Sequence, residues 1–510
     1  MTKSNSKQVF GGAAFSYVLI ILNSIYALAL TPYIISLLGE AEYGVYKTIG
    51  SLSSSLMVLD LGLGGTVMRY IAKYRANKDD ASIPNFMAIV FFEVAIILIF
   101  ISVICFCLYT QLTNIYGNSF DLHQLELAHL IFLITAVNMC LTIVENVING
   151  IITGCNELIF GNGVKLVRLF FRIALTVIIL RFIPSAITLV AINVVLTVLF
   201  LVLESYWAFS KLGIKVKFSH WDRSLFAESF LYTALMFISS VVNQVNTNLD
   251  NVVIGAVVSA SAVAVYSIGL TLYGMFEQLS TAISGVMLPT VMNTLSEPDG
   301  MKKTRELVVQ AGRIQFALLG AVFAVFIVLG RDFINLWLGD KFIDAYYITI
   351  VLMAPSIFSL TVNVCISILR AKNILGVRTL IILGTTILNA AITLLGTPRF
   401  GYYAAAIGTA LSLFLGVDII TNIYYSRKFS YSMLLVYGDI FNRLIFAILI
   451  PMISVIIVHV YIHDSWMTFI LNVTVFLVIY SICLILFGFN QQEKQYIKKL
   501  VRFSKYRGAA

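Results

Sequence analysis

LLGEAEYGVYKTIGSLSSSLMVLDLGLGGTVMRYIAKYRANK, residues 37–78, opens on two acids, Glu40 and Glu42, and closes on four bases, Arg69, Lys73, Arg75 and Lys78. The apolar stretch between them is dotted with Ser, Gly and one acid, Asp60. At about 1.5 Å of rise per residue a helix of this length crosses ~30 Å of hydrocarbon, and its basic end is predicted to face the cytoplasm. The stretch has an echo. Shifted by 220 positions, Gly44-Val45-Tyr46 falls on Ala264-Val265-Tyr266, Leu59 on Leu279, and Asn23 of the preceding run on Asn243. A second echo, at an offset of 217, sets Asn146-Val147 and Gly150-Ile151 on Asn363-Val364 and Ser367-Ile368. The chain reads as a unit built twice.

Composition fixes the solvent. A soluble domain carries about 25% charged residues and 45–50% apolar ones. This chain of 510 residues is 60% hydrophobic and 12% charged, with a mean hydropathy of +0.94, which marks an integral membrane protein. Its net charge of +9 would raise nucleic acid as a partner in a soluble protein. Here it belongs to loops, and no nucleic acid is expected. Fourteen apolar runs can be marked, among them Phe10–Leu37, Tyr43–Ile71, Ala262–Leu295, Tyr346–Leu369 and Ile440–Val460. Of 34 Lys and Arg, 28 fall on the side of the N-terminus, four on the other, and Lys47 and Arg172 within runs. The positive-inside rule then puts both termini in the cytoplasm. The first run is too long for the core of a signal peptide and is expected to be a retained span. The six cysteines lack metal-ligand spacing and read as reduced packing residues.

The expected architecture is all-α and polytopic, with 14 transmembrane helices. Six-helix bundles over residues 1–210 and 224–425 share one orientation and are related by a pseudo-two-fold axis along the membrane normal. A cytoplasmic linker (211–223) joins them, two extra helices follow (426–488), and a basic amphipathic tail (489–510) is suited to an anionic leaflet. Parallel repeats of this kind place substrate between the halves.

Charged and amide side chains inside the apolar runs are the candidates for function. Lys165, Arg168 and Arg172 lie at i, i+3 and i+7 on the fifth run, hence on one face. Arg172 sits roughly 15 Å along that helix, too deep for easy snorkelling. Either the three form an anion-attracting ladder in a wet cavity, or Arg172 neutralises Glu145 at a similar depth on the fourth run. A polar stripe on the seventh run, Asn243, Asn246 and Asp250 with their neighbours, lines a cavity or glues helices together, and Asn23 with Tyr26 is its counterpart on the first. Asn146 marks the second echo. Asp60, Glu93, Glu145, Glu277 and Asp418 are embedded acids that could hold H+ or Na+, or pair with a base. Lys47, near the outer interface, is expected to snorkel. No phosphate-binding loop, zinc spacing or large outer loop is present, so neither enzyme chemistry nor a cofactor is expected.

LLGEAEYGVY (37–46) and LDLGLGGTVMRYIAKY (59–74), followed by LDNVVIG (249–255) and SAVAVYSIG (261–269), resemble bacterial polysaccharide flippases. These carry O-antigen or capsule repeat units and belong to the multidrug/oligosaccharidyl-lipid/polysaccharide exporter superfamily. The resemblance implies two six-helix bundles around a cavity that is often cationic. It also implies alternating access that carries an undecaprenyl-diphosphate-linked oligosaccharide from the inner to the outer leaflet of a bacterial cytoplasmic membrane. Membrane lipids, a coupling H+ or Na+ and a polysaccharide polymerase are the implied partners. Alternatives in the same superfamily are a lipid II flippase, whose charged cluster in helix 1 is missing here, and a cation-coupled drug antiporter. A membrane glycosyltransferase or polymerase is disfavoured by the short outer loops.

Overall fold

The computed structural model describes residues 3–60, 62–218, 244, 248–284, 287–372, 374–459, 465–491, 493 and 494. Among them every regular element is helical and no strand occurs. Among the described residues nine helices are long and apolar enough to cross a membrane, or ten if Met433–Phe441 and Leu444–Ile457, bent by 48°, form one span. The protein is a multi-pass membrane protein. Much of the expected seventh run, Ser224–Gly255, lies outside the described residues, and the fifth, with Lys165, Arg168, Arg172 and Arg181, is more charged than an ordinary span.

The chain forms two compact units. One is Met1–Ser267 with Asn389–Ala405, and the other is Ile268–Leu388 with Ala406–Ala510. The first unit begins with α1 (Lys3–Leu56), which joins two runs that the sequence separates. The join is at Gly39, whose φ of 78° and ψ of 169° bend the helix in a region a side chain would strain. The second run, expected to continue to Ile71, breaks instead. Met57–Asp60 tightens into a 3-10 turn, Gly62 turns left-handed at φ 70°, and α2 (Leu63–Ala76) starts afresh. Next come α3 (Ile83–Tyr116), α4 (Leu122–Gly154), α5 (Leu158–Phe182) and α6 (Ala186–Tyr206). The break lets α2 press on α4 backbone to backbone. A Cβ on Gly150 would lie 2.5 Å from the Gly64 carbonyl oxygen, and one on Gly64 2.7 Å from that of Asn146. Small residues at helix crossings are how membrane helices gain packing where lipid offers no hydrophobic drive.

The acidic loop between the two arms of α1 has a structural task. The Glu42 carboxylate accepts the Ala186 N–H at 2.6 Å and the Ser185 hydroxyl at 3.1 Å, at the N-terminus of α6. Orphan N–H groups and the positive end of the helix dipole both favour a carboxylate there. This contact fixes the second arm of α1 against α6. Glu42→Ala is expected to cost about 1 kcal/mol and to lower the apparent Tm of the purified protein, whereas Glu42→Gln, which keeps an acceptor, should lose less. Equal Tm for all three proteins would show the cap to be idle.

The second unit takes most of α7 (Ala260–Ser284), then α8 (Leu288–Leu295), α9 (Gly300–Leu338), α10 (Asp344–Thr361), α11 (Val364–Ala371) and the start of α12 (Gly376–Phe400). After α13 (Tyr402–Ser412) the helix widens into π-turns over Leu413–Thr421 and continues as α14 (Asn422–Phe429). Then follow α15 (Met433–Phe441), α16 (Leu444–His459) and α17 (Trp466–Cys483). The runs expected at Ala262–Leu295 and Tyr346–Leu369 are each broken, the first after Ser284 and the second at Val362–Asn363. Arg313 of α9 is buried and fully engaged. It donates to Glu493 at 2.7 Å and to the carbonyls of Asp439, Asn442 and Gly488 at 3.2, 3.2 and 2.6 Å. One guanidinium thus ties α9 to the ends of α15 and α17 and to the first turn of the tail.

Candidate functional site

Two cations of the first unit, Lys47 on α1 and Arg172 on α5, lie within the helices of the bundle. α1 and α5 run past each other, with the Tyr33 hydroxyl donating to the Val177 carbonyl at 2.8 Å. This places the Arg172 guanidinium over the Tyr26 ring, 5.2 Å from its centroid. Lys47 lies over the Tyr43 ring at 5.4 Å, within electrostatic range of both Arg172 and Tyr26. Neither cation forms an ion pair among the described residues. The expectation that Lys47 snorkels is corrected. It lines a cavity of about 410 Å³ bounded by α1, α4 and α6, because its position on the helix points it inward along the same face as Ser51 and Ser54.

Of the two alternatives for Arg172, the ion pair with Glu145 is not formed. Glu145 is buried on α4 and its ion partner is Arg168, one turn nearer the start of α5. Arg168 also donates to the Thr197 hydroxyl of α6 at 2.6 Å. Beside this pair the Asn149 amide donates to Glu204 at 2.9 Å, and Lys165 lies within range of both acids. Two acids and two bases therefore balance in one network joining α4, α5 and α6. The three-residue ladder is divided: Lys165 and Arg168 serve the network, and Arg172 stands apart with Tyr26.

Other sequence candidates fall into three places. Asp60, at the break between α1 and α2, accepts the Asn146 amide at 3.2 Å, and its Oδ1 is buried without a partner. Asp250 is buried and accepts the hydroxyls of Tyr266 at 2.6 Å and Thr393 at 3.0 Å, and next to it Asn251 donates to Ser51 at 2.9 Å. Glu93 is buried within α3, and Asn23 is exposed on α1. Asn243 and Asn246 lie outside the described residues.

In the second unit, Glu277 lines a cavity of about 220 Å³ with Tyr273, Asn363, Arg378 and Asn422. Tyr273 is in electrostatic range of both Glu277 and Asp418. Neither carboxylate oxygen of Asp418 has a hydrogen bond of normal geometry, although Ser359 lies beside it, and Arg378 Nε is also buried without a partner. The cavity sits between the break at Val362–Asn363 and the π-turns of Leu413–Thr421, two departures from α-helix of the kind that gathers at functional sites. Sequence patterning alone does not single out Arg378. The signal that finds it is convergence in the fold on one cavity with Glu277, 101 positions earlier in the sequence.

Similarity to known proteins gives this arrangement a context. The family described as Polysaccharide biosynthesis protein matches residues 10–295. The chain belongs to that family. Among its relatives, the uncharacterized membrane protein EpsK of Bacillus subtilis is 23% identical over 509 residues, covering 94% of this chain and 95% of its own. The probable flippase AglR of Haloferax volcanii is 29% identical over 175 residues, 33% of this chain and 36% of its own. Among solved structures, the lipid II flippase MurJ in an inward closed conformation superposes with a TM-score of 0.73, at 14% identity, over 92% of this chain and 97% of that one. An inward-facing multidrug resistance transporter of the MATE family and MOP superfamily gives 0.61, at 15% identity, over 81% and 98%. At these identities the structures speak for the fold alone, which this chain shares with them.

Proposed function

We propose that this chain is a flippase that moves an undecaprenyl-diphosphate-linked polysaccharide repeat unit from the cytoplasmic to the outer leaflet by alternating access. A sugar headgroup loses its hydration in hydrocarbon and needs a polar path while its prenyl tail stays in lipid. The observation that carries the reading is the pair Lys47 and Arg172, two cations near one another that form no ion pair with an acid among the described residues. Such charges are costly unless an anion visits, and a diphosphate supplies one. Tyr26 offers a flat face beside it, and Asn23, Asn146 and Asp250 extend the polar set in the first unit. In the second unit, Glu277 and Asp418 are the acids best placed to hold a coupling H+ or Na+, since Glu145 is held by Arg168 and Asp60 by Asn146. Fourteen spans, two six-helix halves, cytoplasmic termini and residence in the bacterial cytoplasmic membrane complete the proposal.

The test is the location of the lipid-linked intermediate. A deletion strain is expected to accumulate undecaprenyl-linked repeat units on the cytoplasmic leaflet, shielded from an impermeant glycosidase. Single units accumulating outside would indicate a polymerase, and normal export would refute the reading.

A further inference from the structure

Close to the last described residues, one buried arginine gathers three segments of the second unit. Arg313 of α9 sets its guanidinium against the closing carbonyls of two helices: those of Asp439 and Asn442 at the end of α15, and that of Gly488 at the end of the π-turn that follows α17. Last-turn carbonyls have no partner within their own helix, and the negative end of the helix dipole favours a cation there. The same guanidinium donates through Nε and Nη2 to both carboxylate oxygens of Glu493, at 2.7 and 3.2 Å. Glu493 in turn starts the tail. Its Oε2 accepts the Asn490 N–H at 2.7 Å while its own N–H donates to Asn490 Oδ1 at 2.8 Å, a reciprocal cap that sets the first turn. One acid thus fixes both the turn and its attachment to α9. The bases nearby are left over. Asp439 is taken by Arg305. Lys494 donates to the Leu486 carbonyl at 3.1 Å, and Arg443, beside the Asn442 carbonyl, is exposed; neither forms an ion pair among the described residues. Beyond Lys494 the sequence adds 16 residues with five bases (Lys498, Lys499, Arg502, Lys505 and Arg507) and no acid.

We infer that this first turn is the root of a membrane-surface anchor: the basic tail binds the headgroups of anionic phospholipids, and the Arg313–Glu493 contact ties the anchored tail to α9. Charge complementarity selects the partner. The bases from Lys494 to Arg507, with no acid among them, suit a negatively charged leaflet. Ile497, Leu500 and Val501, at i, i+3 and i+4, supply the apolar spacing that such a surface also takes up. Salt screens the tail's exposed charges but not its root. The Arg313 and Glu493 side chains are only 7% and 18% exposed, and a buried, bidentate pair is screened far less than charges in water. Lipid charge felt by the tail is therefore passed to α9 through a firm contact, whatever the cargo.

Amide hydrogen exchange of the purified full chain, in nanodiscs of phosphatidylglycerol and of neutral phosphatidylcholine, reads the anchor and its tie separately. Each base near an anionic surface strengthens adsorption about fivefold, so in phosphatidylglycerol the amides of residues 495–507 should exchange at least about tenfold more slowly than in phosphatidylcholine. The amides of residues 300–313 on α9 should slow with them. Replacing Lys498, Lys499, Arg502, Lys505 and Arg507 with Gln should abolish both responses. Glu493→Ala, which leaves Arg313 its carbonyl partners and the tail its bases, should keep most of the first response and lose the second. Glu493→Gln, which keeps an acceptor for the cap but no charge for Arg313, should behave likewise. Equal exchange of the tail in the two lipids overturns the anchor, and strong protection in both would place that segment on protein instead. An unresponsive 300–313 in the intact chain, or an undiminished response there in both Glu493 variants, overturns the tie.

Discussion

Arg172→Gln is expected to lower export of the glycan at least tenfold while leaving the amount and stability of the protein nearly unchanged. A side chain that only braces the fold loses both together. Here the two effects part company because of what surrounds the guanidinium. Its contact with Tyr26 is worth about 0.5–2 kcal/mol, but it also repels Lys47 nearby, so removing it exchanges one small loss for a small gain. On the proposed function, what vanishes is the grip on an anion that arrives only with substrate. Arg172→Lys should retain part of the export, since it preserves charge but not the planar fork that holds phosphate oxygens in pairs. Export assayed in cells, with membrane abundance and apparent Tm measured on the same variants, reads both arms. A fall in Tm matching the fall in export would assign Arg172 to the scaffold.

Arg168 should behave in the opposite way. Arg168→Leu strands Glu145, whose side chain is only 8% exposed, and breaking one partner of a buried pair costs about 3–5 kcal/mol. Low abundance and lost export are expected together. The double variant Arg168→Leu with Glu145→Leu leaves no charge uncompensated and should recover most of both. Pairing Arg172→Gln with Glu145→Gln should rescue nothing. A double variant of Arg168 and Glu145 that is abundant and still inactive would instead place Arg168 in contact with the cargo.

These two arginines show how far the sequence could be read. Spacing put Arg168 and Arg172 on one face of α5, and depth made both expensive, but a face is wide. Which of two residues one turn apart meets Glu145 depends on how α5 crosses α4, and no periodicity encodes a crossing. Lys47 was legible in depth and illegible in direction. Its companions Ser51 and Ser54, at i+4 and i+7, already marked a polar stripe, yet nearness to the interface suggested the bilayer surface instead. Long apolar runs were readable because hydrocarbon demands about 20 residues per crossing. The breaks at 57–62 and 362–363 were not, because Gly and Asn inside an apolar run look the same whether they line a cavity, pack a crossing or interrupt a helix. The cavity holding Glu277 and Arg378 needs distant segments to converge, and the sequence displays these two residues 101 positions apart.

The first unit is discontinuous, and that sets a timetable for its birth. Asp250 receives the Thr393 hydroxyl from a stretch that lies 143 residues further along the chain. At about 5–20 residues per second of synthesis, a ribosome needs roughly 7–29 s to deliver it. Through that interval the nascent first unit sits in the membrane with a buried acid short of one donor, and it must be shielded by water, by lipid headgroups or by the insertion machinery. The two compact units are therefore not two successive products of translation. The first to begin is completed only when most of the second has already been made.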